Sequence, residues 1–214
     1  MQLGSLQSQV LATLSGIEPS WALSGGAALS GFHLGHRTTR DLDLFWHGER
    51  SIEHVSRTVV ERLRAAGLVV EALRSSPSFC SLSVRDQHEV VLVDLVAEPV
   101  PFIEAPTWIE HRGVRIQVDT PHEILVNKLC ALLHRSEIRD LIDIAALLAH
   151  GGDLDRALSD APRKEGGFSA MTLGWTLSEW KLADAARAAG LGDRAGELES
   201  LRDELVRRAA GRGP

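Results

Sequence analysis

Polar and apolar residues alternate through Asp41-Leu42-Asp43-Leu44, the opening of a stretch that continues through Phe45 to Trp46. A period of two predicts a strand over 41–46, with Leu42, Leu44 and Trp46 on one face and both carboxylates on the other. Upstream, residues 6–14 predict a short leading helix, 20–24 a strand, and 25–34 a helix entered through Gly25 and Gly26. Downstream, Ser51 reads as an N-cap. Ile52, Val55, Val59, Val60 and Leu63 then recur at helical spacing, and Gly67 stands at C′. Strands are predicted over 68–73, 79–84 and 89–96, the last two joined by the turn Asp86-Gln87-His88. The run Val90 to Val96 is apolar on both faces, which predicts a central strand. Pro99, Pro101 and Pro106 mark an irregular stretch before a further strand over Val114–Val118.

After Asp119 the pattern turns helical. Thr120 fits an N-cap, Pro121 the first helical position, and Glu123 the closing residue of a capping box. Ser136 is expected to cap a second helix running to Ala149, which Gly151-Gly152 ends. Gly166-Gly167 marks another loop. Ser178–Ala189 and Asp193–Ala209 read as two closing helices with Gly190 between them, and the tail Gly211-Arg212-Gly213-Pro214 is expected to fray. This order predicts an α/β fold: a mixed sheet with flanking helices over 1–118, then an α-helical lobe over 119–214 packed on it.

Composition narrows the setting. A chain of 214 residues can bury one sizeable core or two small lobes. Its apolar runs are too short to span a membrane, and Met1-Gln2-Leu3-Gly4-Ser5 lacks the features of a secretory signal. Cys80 and Cys130 give no disulfide framework and are expected to be reduced. A cytoplasmic location with no membrane partner follows. The net charge of −6 weighs against a broad polynucleotide footprint. It leaves room for a local basic rim from Arg37, Arg40, Arg112, Arg115, Arg135 and Arg139.

The candidate chemistry starts from the two aspartates. Like charges on one strand face repel unless a cation sits between them. A hard divalent ion such as Mg²⁺ answers this, because it takes oxygen ligands and leaves positions for substrate phosphates. Ser24-Gly25-Gly26 opens a helix, where glycine permits close approach and free N–H groups attract phosphate. Asp94 interrupts an apolar strand and needs a partner, either a neighbouring arginine or a site. Lys128 lies on an apolar helical stripe, so it must snorkel, pair or face a cleft. Asp140 and Asp143 share a helix face, with Arg139 placed to pair with Asp143; a solvated salt-bridged face is the plain reading. His33, His36 and Arg37 have no zinc-site spacing and read as a surface turn, with Arg37 near phosphate. Most of the five tryptophans are expected in the core.

Gly-Gly at a helix start followed by Asp-x-Asp on a strand resembles the polymerase-β-like nucleotidyltransferases. The fuller string adds Gly35-His36-Arg37, Asn127-Lys128-Leu129 and Arg139-Asp140-Leu141-Ile142-Asp143. It resembles the AbiE-type (abortive-infection) nucleotidyltransferase toxins across most of residues 20–150. That resemblance implies two Mg²⁺ ions (or Mn²⁺) held by Asp41, Asp43 and Asp94, with Asp94 also assisting deprotonation of the acceptor. It implies nucleotide binding by Ser24, Gly25, Gly26, Arg37, Lys128, Asp140 and Asp143, with one of the last two acids orienting the cleft or the lysine. It further implies an NTP substrate, an RNA acceptor such as a tRNA 3′ end, and an antitoxin partner. Many relatives carry serine or threonine just after or in place of the second glycine, whereas Gly26 is followed here by Ala27. Phosphate contacts would then rest on backbone N–H groups. Transfer to a small molecule such as an antibiotic, transfer to a protein, and a non-catalytic nucleotide-binding regulator are the rival readings.

Overall fold

In a computed structural model, residues 3–211 are described; positions 212–214 of the tail expected to fray lie outside them. The chain forms two compact units, 1–120 and 121–214.

The first unit is a seven-stranded mixed sheet with helices. It opens with α1 (Ser5–Leu14), β1 (Ala22–Ser24) and the short turn α2 (Gly25–Ala28), which continues as a π-helical turn over Leu29–His33. Then come β2 (Asp41–His47), α3 (Glu53–Ala65), β3 (Val69–Ser75), β4 (Phe79–Arg85), β5 (Val90–Glu98), β6 (Thr107–His111) and β7 (Val114–Val118). The strand order is β3-β4-β5-β2-β1-β7-β6. β2 pairs parallel with β5 and β1 parallel with β7; the other pairings are antiparallel.

The period of two in β2 appears directly as alternating burial. Leu42, Leu44 and Trp46 are fully buried, while Asp41, Asp43, Phe45 and His47 are less deeply buried. The buried face continues through Val91, Val93 and Leu95 of β5 and through Leu82 and Val84 of β4. The buried stripes of α1 (Leu6, Val10, Leu11) and α3 (Val55, Val59, Leu63) complete this core. Trp46 Nε1 donates to Pro19 O at 2.8 Å and Trp21 Nε1 to Leu14 O at 2.9 Å, so both buried indoles are satisfied.

Several expectations change. β5 is an interior strand, but Val90 and Leu92 are 58% and 40% exposed, so only one of its faces is covered. An apolar run reports burial on both faces only when a second layer covers the sheet. β6 falls where the prolines suggested no element. It pairs with β7 across a two-residue turn whose central residues, Arg112 and Gly113, both have positive φ, as a tight hairpin of this hand requires. The α3 N-cap is Ile52 rather than Ser51. Trp108 and Trp175 are 51% and 67% exposed, so fewer tryptophans are core residues than expected.

The second unit is helical: α4 (Pro121–His134), α5 (Ile138–Ala149), α6 (Leu154–Lys164), α7 (Ala170–Ser178), α8 (Leu182–Ala188) and α9 (Ala195–Ala210), with a 3₁₀ turn over Gly192–Arg194. α4 packs on α5, α6 and α7, and α9 on α5, α7 and α8. The cap of α5 is Glu137, not Ser136. The helix α6 and most of α7 were not expected. Asp153 caps α6 by accepting from Arg156 N at 2.9 Å, and Ser169 caps α7.

Candidate active site

Strand register builds the site. Asp43 of β2 stands opposite Asp94 of β5 on one side and Ser24 of β1 on the other. Residues directly opposite share a sheet face, so Asp94, Asp43 and Ser24 form a row, with Asp41 two residues along on the same face. Ser81 of β4 stands next in that row and donates its hydroxyl to Asp94 Oδ1 at 2.5 Å. This serine fixes the Asp94 carboxylate. Its sequence signal is the alternation of Ser81 and Ser83 with apolar residues in the stretch 79–84.

The glycines set the approach of the next layer. Gly25 has φ +60, and a Cβ there would stand 2.1 Å from Asp43 Oδ2. A Cβ on Gly26 would stand 2.4 Å from an Arg37 guanidinium nitrogen. One glycine therefore lies against the acid and its neighbour against the cation. At Gly25 a residue without a side chain lets the backbone come this close to the acid, whereas at Gly26 the near atom is the far end of the Arg37 side chain. Arg37 Nη1 also donates to Thr38 O at 3.2 Å. A cavity of about 750 Å³ borders this corner, lined among others by Arg37, Arg40, Gln7 and His88.

Among the described residues, no three His, Cys, Asp or Glu side chains gather closely enough to hold a metal ion by themselves. The row still suits one kind of ion. Its donors are carboxylate oxygens, and Mg²⁺ commonly uses one or two protein carboxylates while substrate phosphates and water complete its shell.

His33 and His36 follow α2. The His33 ring nitrogen Nε2 lies 2.8 Å from Asp119 O, which ties the end of the π-helical turn to the residue after β7. Cys80 lies beside Ser81. Burial pushes its thiol pKa up, against a hydrogen bond with Ser75, and the charge of Asp94 adds to the rise.

In the helical unit, Lys128, Asp140 and Asp143 come together. Lys128 Nζ lies 2.6 Å from Asp140 Oδ1 and 3.0 Å from Asp143 Oδ2. Arg135 Nε donates to Asp140 Oδ2 at 3.0 Å. Asp140 and Asp143 are 1% and 0% exposed, so the plain reading of a solvated face is replaced by a buried charge cluster. Lys128 pairs rather than snorkels. Burial by itself would lower its pKa, but the charges and hydrogen bonds of Asp143 and Asp140 outweigh it and raise the value. A triphosphate would have to compete with two carboxylates for this ammonium group. Beside it, Glu123 lies 2.5 Å from Lys164 Nζ, both buried. The residue expected to close a capping box thus pairs with α6.

Comparison with known proteins gives a family. Residues 9–208 match the family described as nucleotidyl transferase AbiEii toxin, type IV toxin–antitoxin system. No curated protein matches the chain. Among solved structures, JHP933 from Helicobacter pylori is similar at 18% identity and a TM-score of 0.57, covering 96% of this chain and 90% of that one. MenT4, a nucleotidyltransferase toxin from Mycobacterium tuberculosis H37Rv, is similar at 18% identity and a TM-score of 0.58, covering 96% and 85% respectively. At such identity these two carry the fold.

Proposed function

The chain belongs to the AbiEii nucleotidyltransferase toxin family of type IV toxin–antitoxin systems, and on that premise we propose that it transfers nucleoside monophosphate from an NTP to RNA, at a tRNA 3′ end. Membership makes it a transferase enzyme with an NTP substrate and an antitoxin counterpart, in a family whose chemistry uses divalent metals. The proposal adds the acceptor, the ion and the residues. One observation carries the residues and the ion: Asp43 stands in register with Asp94 while Gly25 brings the start of α2 against the same Asp43 carboxylate; the RNA acceptor rests on the family resemblance.

In this reading Asp41, Asp43 and Asp94 would hold Mg²⁺ with substrate phosphates and water completing its shell. When bound, the ions stabilise charge on both the attacking and the leaving oxygen. Backbone N–H groups following Ser24, at Gly25 and Gly26, cradle the phosphates, and Arg37 offers them its guanidinium. Asp94, its second oxygen held by Ser81, takes the proton of the acceptor hydroxyl. That oxygen attacks the α-phosphorus and pyrophosphate leaves. Lys128, Asp140 and Asp143 act in this scheme as one charge cluster that fixes α4 against α5.

The test is incubation with each labelled NTP, Mg²⁺ and total cellular RNA. Label should enter RNA, and Asp43→Ala should abolish both labelling and growth inhibition on expression. Label in a small molecule or a protein, with RNA unlabelled, would replace the acceptor. Growth inhibition that survives Asp43→Ala would separate this chemistry from toxicity.

A further inference from the structure

A second site lies on the same sheet face as the aspartates, at the other end of β2. Register places Phe45 opposite Ala22, Ala22 opposite Gln117, and Gln117 opposite Trp108. His47, two residues beyond Phe45, shares their face. A cavity of about 300 Å³ opens there, lined by Ser20, Ala22, His47, Phe102, Trp108 and Gln117. Four residues of strand separate His47 from Asp43, roughly 13 Å at the usual rise.

The lining is built rather than incidental. The His47 side chain is 5% exposed, and its Nε2 lies 3.1 Å from Oδ1 of the fully buried Asp119. Its other ring nitrogen, Nδ1, is buried and has no hydrogen-bond partner among the described residues. The imidazole stacks on Phe45, with centroids 5.9 Å apart, and meets Phe102 edge-on at 5.6 Å. Trp108 is held on one side by the Arg115 guanidinium, 5.1 Å from the ring centroid. Even so, Trp108 and Phe102 remain 51% and 41% exposed. Gln117 adds an amide that both donates and accepts.

We propose that this cavity binds a single nucleobase. Flat exposed aromatic rings stack on heterocycles. The Gln117 amide can meet a base edge that carries both donors and acceptors. The volume lies at the low end for ligand pockets, which suits one heterocycle and not a duplex. The inference rests on the nucleotidyl-transfer reading for its context, since a base seated here lies within one nucleotide's reach of Asp43. The base can come from the NTP or from an unpaired end of the acceptor, and the two sources are separable.

The test uses the full chain without Mg²⁺ and the four free nucleosides, followed by saturation-transfer NMR and calorimetry. At least one nucleoside should bind, and Trp108→Ala should weaken it at least about five-fold, the lower bound for loss of one stacked base. Phe102→Ala serves as a second variant. In the full reaction, a changed ranking among NTPs in Trp108→Ala with an unchanged acceptor KM assigns the pocket to the NTP base. A raised acceptor KM with the NTP ranking unchanged assigns it to the acceptor. Nucleoside binding in a protein that transfers no nucleotide would keep the pocket and remove the transfer reading. Absence of nucleoside binding, or wild-type affinity in both variants, would overturn the proposal.

Discussion

Replacing Lys128 by methionine keeps the length of the side chain and removes its charge. In the wild type that charge lies within 3.0 Å of two carboxylates that are nearly inaccessible to water. Removing one partner of a buried ion pair costs about 3–5 kcal/mol, because the remaining charge stays desolvated. Asp140 keeps Arg135 as a partner, so the lower figure, about 3 kcal/mol, is expected. A raised lysine pKa contributes stability that is complete below the unfolded value, about 10.4, and is lost only as pH climbs through the raised folded value. An assay at neutral pH therefore reads the whole contribution. With urea slopes of about 1–3 kcal/mol/M, the unfolding midpoint should fall by roughly 1 M or more. Hydrogen exchange should speed up in α4 and α5 first. A cost below about 1 kcal/mol, the level of an exposed pair, with unchanged exchange in α4 and α5, would refute the reasoning. It would mean that the two acids do not hold this charge in solution.

Two further outcomes follow from the sheet unit. Gly25→Ala must relieve a Cβ placed 2.1 Å from Asp43 Oδ2 at a φ of +60; pyrophosphate release should fall about a hundred-fold, as expected for a displaced catalytic group, and retention of half the rate would show that the close approach is dispensable. His111 has its pKa lowered by burial and then by Arg112, so its contribution is present above the ordinary value of about 6.5 and is lost as pH falls through it toward the lower folded value; the drop in melting temperature from pH 7.5 to 5.5 should shrink in His111→Gln, and an identical drop would contradict the assignment.

The acid pair was legible because strand period two separates faces without reference to any neighbour. The pairing of Asp94 with Asp43 was not, since it depends on the parallel register of β2 and β5, which no local pattern encodes. Asp94 was visible only as an anomaly in an apolar run. The same limit hid the Lys128 cluster: helical spacing marked each residue, but whether acids three apart face solvent or a neighbouring helix is decided by packing. β6 was missed because its short segment follows three prolines and has no apolar alternation of its own. α6 was missed because its buried face has only two large apolar residues, Leu154 and Leu158, beside Ala157, Ala161 and Lys164.

The seven residues of β2 carry two messages in alternation, core on even positions and the proposed chemistry on odd ones. Substitution can edit either message without touching the other. Insertion or deletion of one residue cannot, because it turns Asp43 toward the interior and Trp46 toward water in a single event. The lineage of this enzyme should therefore explore new specificities through point changes at Phe45 and His47, while β2 keeps a fixed length. Length variation should collect in the segments between strands, such as the proline-rich stretch before β6, where a frame shift alters no face.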